Sequence, residues 1–90
     1  MVNTRSWTVE ITISEHEDER RTHAEAVLHS SRPPLQGEGD ARRRPSDREV
    51  PEIGDELATA RALADLAYKL LDVSAGDIEQ FTHRPVHLTA

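Results

Sequence analysis

The first half of the chain alternates between apolar and polar side chains. Every second residue from Trp7 to Ile13 is apolar, and the residues between them are threonine or glutamate. The same period of two continues over residues 20–29 and 35–43. A period of two with β-branched residues is typical of half-buried strands. We therefore predict three antiparallel strands at about 6–14, 20–29 and 35–43.

The second of these segments also admits a helix, because alanine and glutamate are good helix formers. A strand is favoured, since the charged run over 15–19 has the character of a hairpin tip and the alternation continues beyond it. After this strand, Pro33 and Pro34 mark a loop, because proline cannot donate a hydrogen bond to a sheet ladder.

After a connector at about 44–51, the apolar residues change to the three-and-four spacing of a helix. This spacing predicts a long helix over about 52–72. At about 100° per residue its apolar arc covers about 200°, with Ala60, Ala64 and Ala67 near the centre.

Two glycines in the third strand indicate where this helix packs. Gly37 and Gly39 fall on the same face of the strand. Glycine in a strand interior often marks a close approach by another backbone. We therefore expect the alanine centre of the long helix to pack on these two glycines.

A second, short helix is predicted over about 75–83. Ser74 is its expected N-cap, and Pro85 stops it. The order of elements predicts the α+β class for a single domain over 1–90. Its architecture is a three-stranded antiparallel sheet with a long helix across one face and a short C-terminal helix.

The length of the chain and its apolar content predict a thin core. The chain has 90 residues, and 36% of them are apolar, but ten of these are alanine. A domain of this size buries only about 60–65% of its unfolded surface. We therefore expect a homodimer, formed through a sheet edge or through a leucine shoulder of the helix, Leu63, Leu66 and Leu70.

Cysteine is absent from the sequence, and the formal net charge is −6. The missing cysteine excludes disulfides, thiolate zinc sites and cysteine nucleophiles. The acidity argues against a protein that coats nucleic acid. No apolar run approaches the ~20 residues of a membrane span, and no signal peptide opens the chain, so a soluble cytoplasmic protein is expected.

Five arginines are expected at one end of the sheet, because adjacent antiparallel strands end and begin at the same edge. These candidate RNA- or partner-binding residues are Arg20, Arg21, Arg42, Arg43 and Arg44. Arginine pairs with phosphate groups, so this end could clamp a nucleic-acid backbone. Acidic residues within 15–19 occupy the same end, and mutual neutralisation is the simpler interpretation.

The sequence also contains five histidines, His16, His23, His29, His83 and His87. His23 and His29 lie about 20 Å apart along an extended strand, too far to share a metal. Pro85 prevents a helical spacing of His83 and His87. We therefore expect solvated histidines, with no metal and no cofactor.

Motifs of enzymatic chemistry are missing from the sequence. It contains no nucleophile elbow, no phosphate loop and no dinucleotide fingerprint. We expect no catalytic residues, no small-molecule substrate and no membrane partner. The alternative, a small-molecule or metal-dependent enzyme, predicts a concave pocket lined by His23 or His83 and carboxylates.

Three stretches resemble a family of small actinobacterial proteins of unknown function. They are WTVEITISEHE, LQGEGDARRRPSDREVPEIGDELA and DIEQFTHRPVHL, and the likeness extends from Trp7 to about Leu88. The resemblance implies a fold like the double-stranded-RNA-binding domain without its leading helix, and a dimer. Mycobacterial relatives in that family are associated with hypoxia and dormancy and are likened to ribosome hibernation factors.

Two functional hypotheses follow. The first is a non-enzymatic binding protein, associated with stress or dormancy, that acts through a protein or ribonucleoprotein partner. The second is direct binding of the ribosome or structured RNA through the five arginines, which predicts a steep salt dependence.

Overall fold

The computed structural model describes residues 1–44, 50–83 and 85–88. Three strands precede one helix, in the order β1 (Thr8–His16), β2 (Arg21–His29), β3 (Leu35–Arg42) and α1 (Pro51–Thr82). The strands form one antiparallel sheet in the order β1-β2-β3. The α+β class and the three strands are confirmed. Most of the predicted connector at 44–51 lies outside the described residues.

A short 3-10 turn, Glu17–Glu19, joins β1 to β2. It ends at Arg20, whose φ of 49° lies in the left-handed region. The Arg20 amide donates to the Glu17 carbonyl over 3.1 Å. The predicted hairpin tip is therefore present, and it turns the chain tightly enough for His16 to pair directly with Arg21.

The helical half of the chain is one helix where two were predicted. α1 runs through the predicted break, and Ser74 lies inside it. The Ser74 hydroxyl donates to the Leu70 carbonyl over 3.0 Å, so it bonds back along the helix and does not cap a new one. Proline begins the helix at Pro51, and the left-handed residue His83 ends it.

The helix packs on the two glycines of β3, as predicted, but through different alanines. A Cβ atom added at Gly39 would collide with the backbone of Ala58, Arg61 and Ala62. One added at Gly37 would collide with the backbone of Ala62 and Leu66. Ala58 and Ala62 are fully buried.

The predicted contact through Ala60, Ala64 and Ala67 is therefore wrong, because these three alanines are exposed.

The polar side of α1 binds the free edge of β3. This contact explains why the helix is rotated about its axis relative to the prediction, so that different alanines face the sheet. Lys69 Nζ donates to the Gln36 carbonyl over 2.8 Å, and the Glu38 amide donates to Asp65 Oδ2 over 2.9 Å. Arg61 donates to the Asp40 carbonyl over 2.6 Å. These three helix residues, spaced by four, satisfy backbone groups of an edge strand. The contact requires the polar side of the helix to face the sheet edge.

The resulting core is small. Among the described residues, the buried apolar side chains are five alanines and two leucines: Ala24, Ala26, Leu28, Ala41, Ala58, Ala62 and Leu66. Ile11, Leu35 and Leu70 pack against them and stay partly exposed. In the described part of the chain no helix is long and apolar enough to cross a membrane.

Candidate functional site

The side of α1 that faces away from the sheet is apolar. At 100° per residue it lies opposite Ala58 and Ala62. We call it the helix apolar face, and its members are Ile53, Leu57, Ala60, Ala64, Ala67, Tyr68, Leu71 and Ile78. All except the half-buried Leu71 are exposed, and Tyr68 reaches 61% exposure. Exposed apolar patches of this kind mark interaction sites.

A second apolar row lies on β1. Val9 pairs with Leu28 and Ile13 pairs with Ala24. Because directly paired residues point to the same side of a sheet, Val9 and Ile13 lie on the side that carries α1. Both remain more than 40% exposed. The helix lies over β3 and β2, so this part of the sheet is open.

The leucine shoulder predicted as a dimer contact is only partly available. Leu66 is buried at 5% exposure in the core of its own chain, and Leu70 is half-buried against that core. Leu63 is 42% exposed. Of the three predicted contact residues, Leu66 is therefore buried within its own chain, and Leu63 is the one that is exposed.

The predicted convergence of arginines at one end of the sheet is present. Arg21 pairs with Arg42 across the strands, and the Arg43 amide donates to the Arg20 carbonyl over 2.9 Å. These four arginines line one cavity of about 270 Å³, together with acidic residues of the hairpin. Ile53 and Leu57, at the N-terminal end of the helix apolar face, also line it. Arg44 is exposed and does not line this cavity.

One of these arginines, Arg21, forms ion pairs with two carboxylates. Arg21 bonds Glu19 over 2.9 Å and Asp40 over 2.8 Å. The hydrogen bond that Arg21 donates to Glu19, followed by the one it donates to Asp40, raises the pKa of Arg21 above its ordinary value. Arg20 and Arg42 make no side-chain hydrogen bond or ion pair to the described residues. They remain the arginines of this cavity that an anion could recruit.

On the outer face of the sheet, one histidine is surrounded by carboxylates. His23 Nδ1 lies 2.9 Å from Asp40 Oδ1. Its Nε2 lies 3.7 Å from Glu38 and 4.0 Å from Glu25. The hydrogen bond with His23, followed by that with Arg21, lowers the pKa of Asp40 below its ordinary value. We call His23, Glu25 and Glu38 the His23 cluster.

Sequence reasoning missed this cluster because it compared histidines only with each other. The neighbours of His23 come from two strands, and the β2–β3 register places Asp40 directly opposite His23 and Glu38 directly opposite Glu25. The available signal was the alternation itself, which places His23 and Glu25 on one face of β2, and Glu38 and Asp40 on one face of β3. The other histidines, His16, His29, His83 and His87, are exposed.

The fold and these surfaces define a small α+β protein with a β-β-β-α order and an open apolar helix. Residues 5–87 match the family described as Rv2632c-like, and the chain belongs to that family. It is 54% identical over 82 residues to the uncharacterized protein Mb1767 of Mycobacterium bovis, covering 91% of this chain and 85% of that protein.

A second relative and a solved structure extend the comparison. The chain is 46% identical over 78 residues to the uncharacterized protein Rv2632c of Mycobacterium tuberculosis, covering 87% of this chain and 82% of that one. The crystal structure of Rv2632c superposes with a TM-score of 0.83 at 42% identity, over 93% of this chain and 98% of the other. The β-β-β-α fold is therefore shared with a solved member of the family.

Proposed function

We propose that this protein is a non-enzymatic binding protein that works as a homodimer and acts through a protein or ribonucleoprotein partner. The exposed helix apolar face is the observation that carries the proposal. The family resemblance implies the association with stress or dormancy and the likeness to double-stranded-RNA-binding domains and to hibernation factors. These, with the cytoplasmic location expected from the sequence, are part of the same proposal.

The surface of the single chain supports pairing. Its accessible area is 7246 Å², whereas a compact monomer of 10.1 kDa has about 5300 Å². Its radius of gyration is 16.9 Å, against about 12 Å for a compact domain of this length. A stable interface takes about 800 Å² from each partner. The excess of about 1900 Å² is larger than that, and it includes the exposed residues 1–7 as well as the helix apolar face.

A second copy is the occupant that fits the helix apolar face best. The face has small side chains at its middle, at Ala60, Ala64 and Ala67, and large ones toward its ends. Small residues allow two helices to approach closely. In an antiparallel pair centred on Ala64, Leu57 of each copy lies beside Leu71 of the other. Such a contact is self-complementary, as a twofold interface requires.

Sedimentation equilibrium tests the dimer. The wild type is expected to sediment with twice the chain mass, and Leu57→Glu, which places a charge in the apolar face, is expected to sediment as a monomer. Gln80→Glu adds the same charge on the opposite side of the same helix and should leave the dimer intact. A monomeric wild type, or a dimeric Leu57→Glu variant, would contradict the proposal.

Affinity capture from starved or oxygen-deprived cells tests the partner. The chain should recover the same protein or ribonucleoprotein in repeated experiments. For a partner that binds the dimer, Leu57→Glu should reduce this recovery. Recovery of neither ribosomal components nor any regulator would count against the proposal.

Direct RNA binding is a second candidate, and the arginine-lined cavity favours it. Arg20 and Arg42 are free to engage phosphates there. Because bound phosphates release counterions, affinity falls steeply with salt, and each lost phosphate contact reduces the log–log slope by about one.

Co-sedimentation with ribosomes at two salt concentrations distinguishes the two candidates. Changing Arg42, Arg43 and Arg44 to alanine should abolish salt-dependent binding. The control Arg32→Ala removes a charge elsewhere, where Arg32 bonds Asp77 over 3.0 Å, and should preserve it. Salt-insensitive binding would exclude the RNA hypothesis.

A further inference from the structure

We propose that the His23 cluster on the outer face of the sheet binds a divalent transition-metal ion of the zinc class. His23, Glu25 and Glu38 are the ligands, and Asp40 is a positioning residue that orients the imidazole. The site lies on the face of the sheet opposite α1, so it does not depend on the proposed dimer. It goes beyond the binding function proposed above.

The ligand atoms already converge. One ligand atom from each member of the His23 cluster lies within 4.8 Å of the others. Tetrahedral zinc with bonds of about 2.0 Å places its ligands about 3.3 Å apart. The observed 3.7 Å between His23 Nε2 and Glu38 Oε1 is close to that value. Small side-chain rotations of the two glutamates, both more than 40% exposed, bring them to bonding distance.

The hydrogen bond to Asp40 gives the imidazole the tautomer that a metal needs. An ionised carboxylate only accepts hydrogen bonds, so His23 Nδ1 carries the proton that it donates to Asp40. The lone pair of the neutral ring then lies on Nε2, the nitrogen that faces Glu25 and Glu38. Metal-binding histidines commonly donate their other ring nitrogen to a carboxylate in this way. Arg21 holds Asp40 in place over 2.8 Å.

The sheet register supplies an independent reason for a cation at this position. Glu25 and Glu38 are direct cross-strand neighbours. Like charges directly opposite each other on a sheet are destabilising. Gln36 donates a hydrogen bond of 3.4 Å to Glu38 but brings no charge. A divalent ion between the two carboxylates and the imidazole removes this repulsion and joins β2 to β3.

The donor set selects the class of ion. Magnesium and calcium prefer six or more oxygen ligands, and an imidazole nitrogen suits them poorly. One nitrogen and two carboxylates suit zinc, which accepts three protein ligands with a fourth position left to water. The cluster lies on an open sheet surface, so the fourth position faces solvent.

Calorimetric titration of the untagged full chain with zinc tests the site. We expect saturation at one ion per chain, and a magnesium titration under the same conditions should give no comparable binding. His23→Gln should weaken zinc binding by more than about 100-fold, and Asp40→Asn by about 10- to 100-fold. The matched control is His29→Gln, which removes an exposed histidine from the same face of the same strand and should leave affinity unchanged.

Ring ¹⁵N NMR spectra distinguish zinc binding from a loss of structure, because they report directly on the two ring nitrogens of His23. Zinc should shift the Nε2 resonance of His23 while Nδ1 stays protonated, and this shift should be absent in Glu38→Gln. If His23→Gln fails to fold, Glu25→Gln and Glu38→Gln carry the test. The proposal is overturned by a titration that does not saturate, by equal losses in His23→Gln and His29→Gln, or by zinc bound at Nδ1.

Discussion

Two glycines on β3 set the distance between helix and sheet. A Cβ atom at Gly37 would lie 2.7 Å from Leu66 Cβ and closer still to backbone atoms of α1. Because backbone cannot move aside as a flexible side chain can, Gly37→Ala should destabilise the fold by about 1–3 kcal/mol. Chemical denaturation measures this change.

The helix itself provides the control for that substitution. Gly76 lies in α1, and a Cβ atom there would have no neighbour within 4 Å. Gly76→Ala should therefore stabilise the protein by about 0.5–1 kcal/mol, because alanine is the better helix former. Equal effects of the two substitutions would contradict the close contact at Gly37.

Asp65 links helix and sheet through its charge. The hydrogen bond from the Glu38 amide, followed by that from Lys69, lowers its pKa below the ordinary value of 3.8. A carboxylate with a lowered folded-state pKa stabilises the fold above its unfolded value and loses that contribution as pH falls through the folded value.

Unfolding measured against pH tests this link. The wild type should be more stable than Asp65→Asn at pH 7, and the difference should shrink as the pH is lowered from 7 through the ordinary aspartate pKa of about 4 and then through the lower folded-state pKa. Asp72→Asn removes the same charge from the same helix without breaking a hydrogen bond, and should give a smaller difference at pH 7. A constant difference between wild type and Asp65→Asn across this range would exclude the electrostatic explanation.

At the scale of elements, the sequence predicted the strands well and the orientation of the helix poorly. The period of two in β1, β2 and β3 depends only on local alternation, and it located each strand to within two residues. The helix orientation depends on competition between faces. The sequence pattern predicted that the apolar arc packs on the sheet. In the structure the two glycines contact the helix at Ala58, Ala62 and Leu66, and the polar row binds the β3 edge.

The candidate sites differ in the same way, between features set by the order of the strands and features set by how the strands pair. The convergence of arginines was predictable because it requires only the order of antiparallel strands. The His23 cluster was not predicted, because it requires the register of β2 against β3 across a five-residue loop at 30–34. A shift of one residue between β2 and β3 would place Glu38 and Asp40 on the opposite face of the sheet from His23.

The continuity of α1 through Ser74 gives a prediction at the same scale. An N-cap serine replaced by alanine costs about 1 kcal/mol. A serine inside a helix is replaced at little cost, because alanine has the higher helix propensity. Ser74→Ala should therefore change the free energy of unfolding by less than about 0.5 kcal/mol. A loss of about 1 kcal/mol would instead indicate that Ser74 caps a separate second helix.

For the whole molecule, the small core and the open apolar face are two consequences of one arrangement. The polar row of α1 covers the exposed edge of β3, so most of the helix apolar face is left uncovered. Five alanines and two leucines are then left as the buried core of the described chain. A core of this size supplies little of the hydrophobic burial on which small domains depend. In the proposed dimer, the second copy adds to that burial.

Folding and pairing should therefore be coupled, and the thermal midpoint should rise with protein concentration. Binding that occurs only in the native state adds stability by mass action, so a tenfold higher concentration raises the stability of a dimer by about 1.4 kcal/mol. Leu57→Glu should have a lower midpoint that no longer depends on concentration, while Gln80→Glu should follow the wild type. A wild-type midpoint that stays constant from micromolar to millimolar chain would show that the thin core is sufficient by itself.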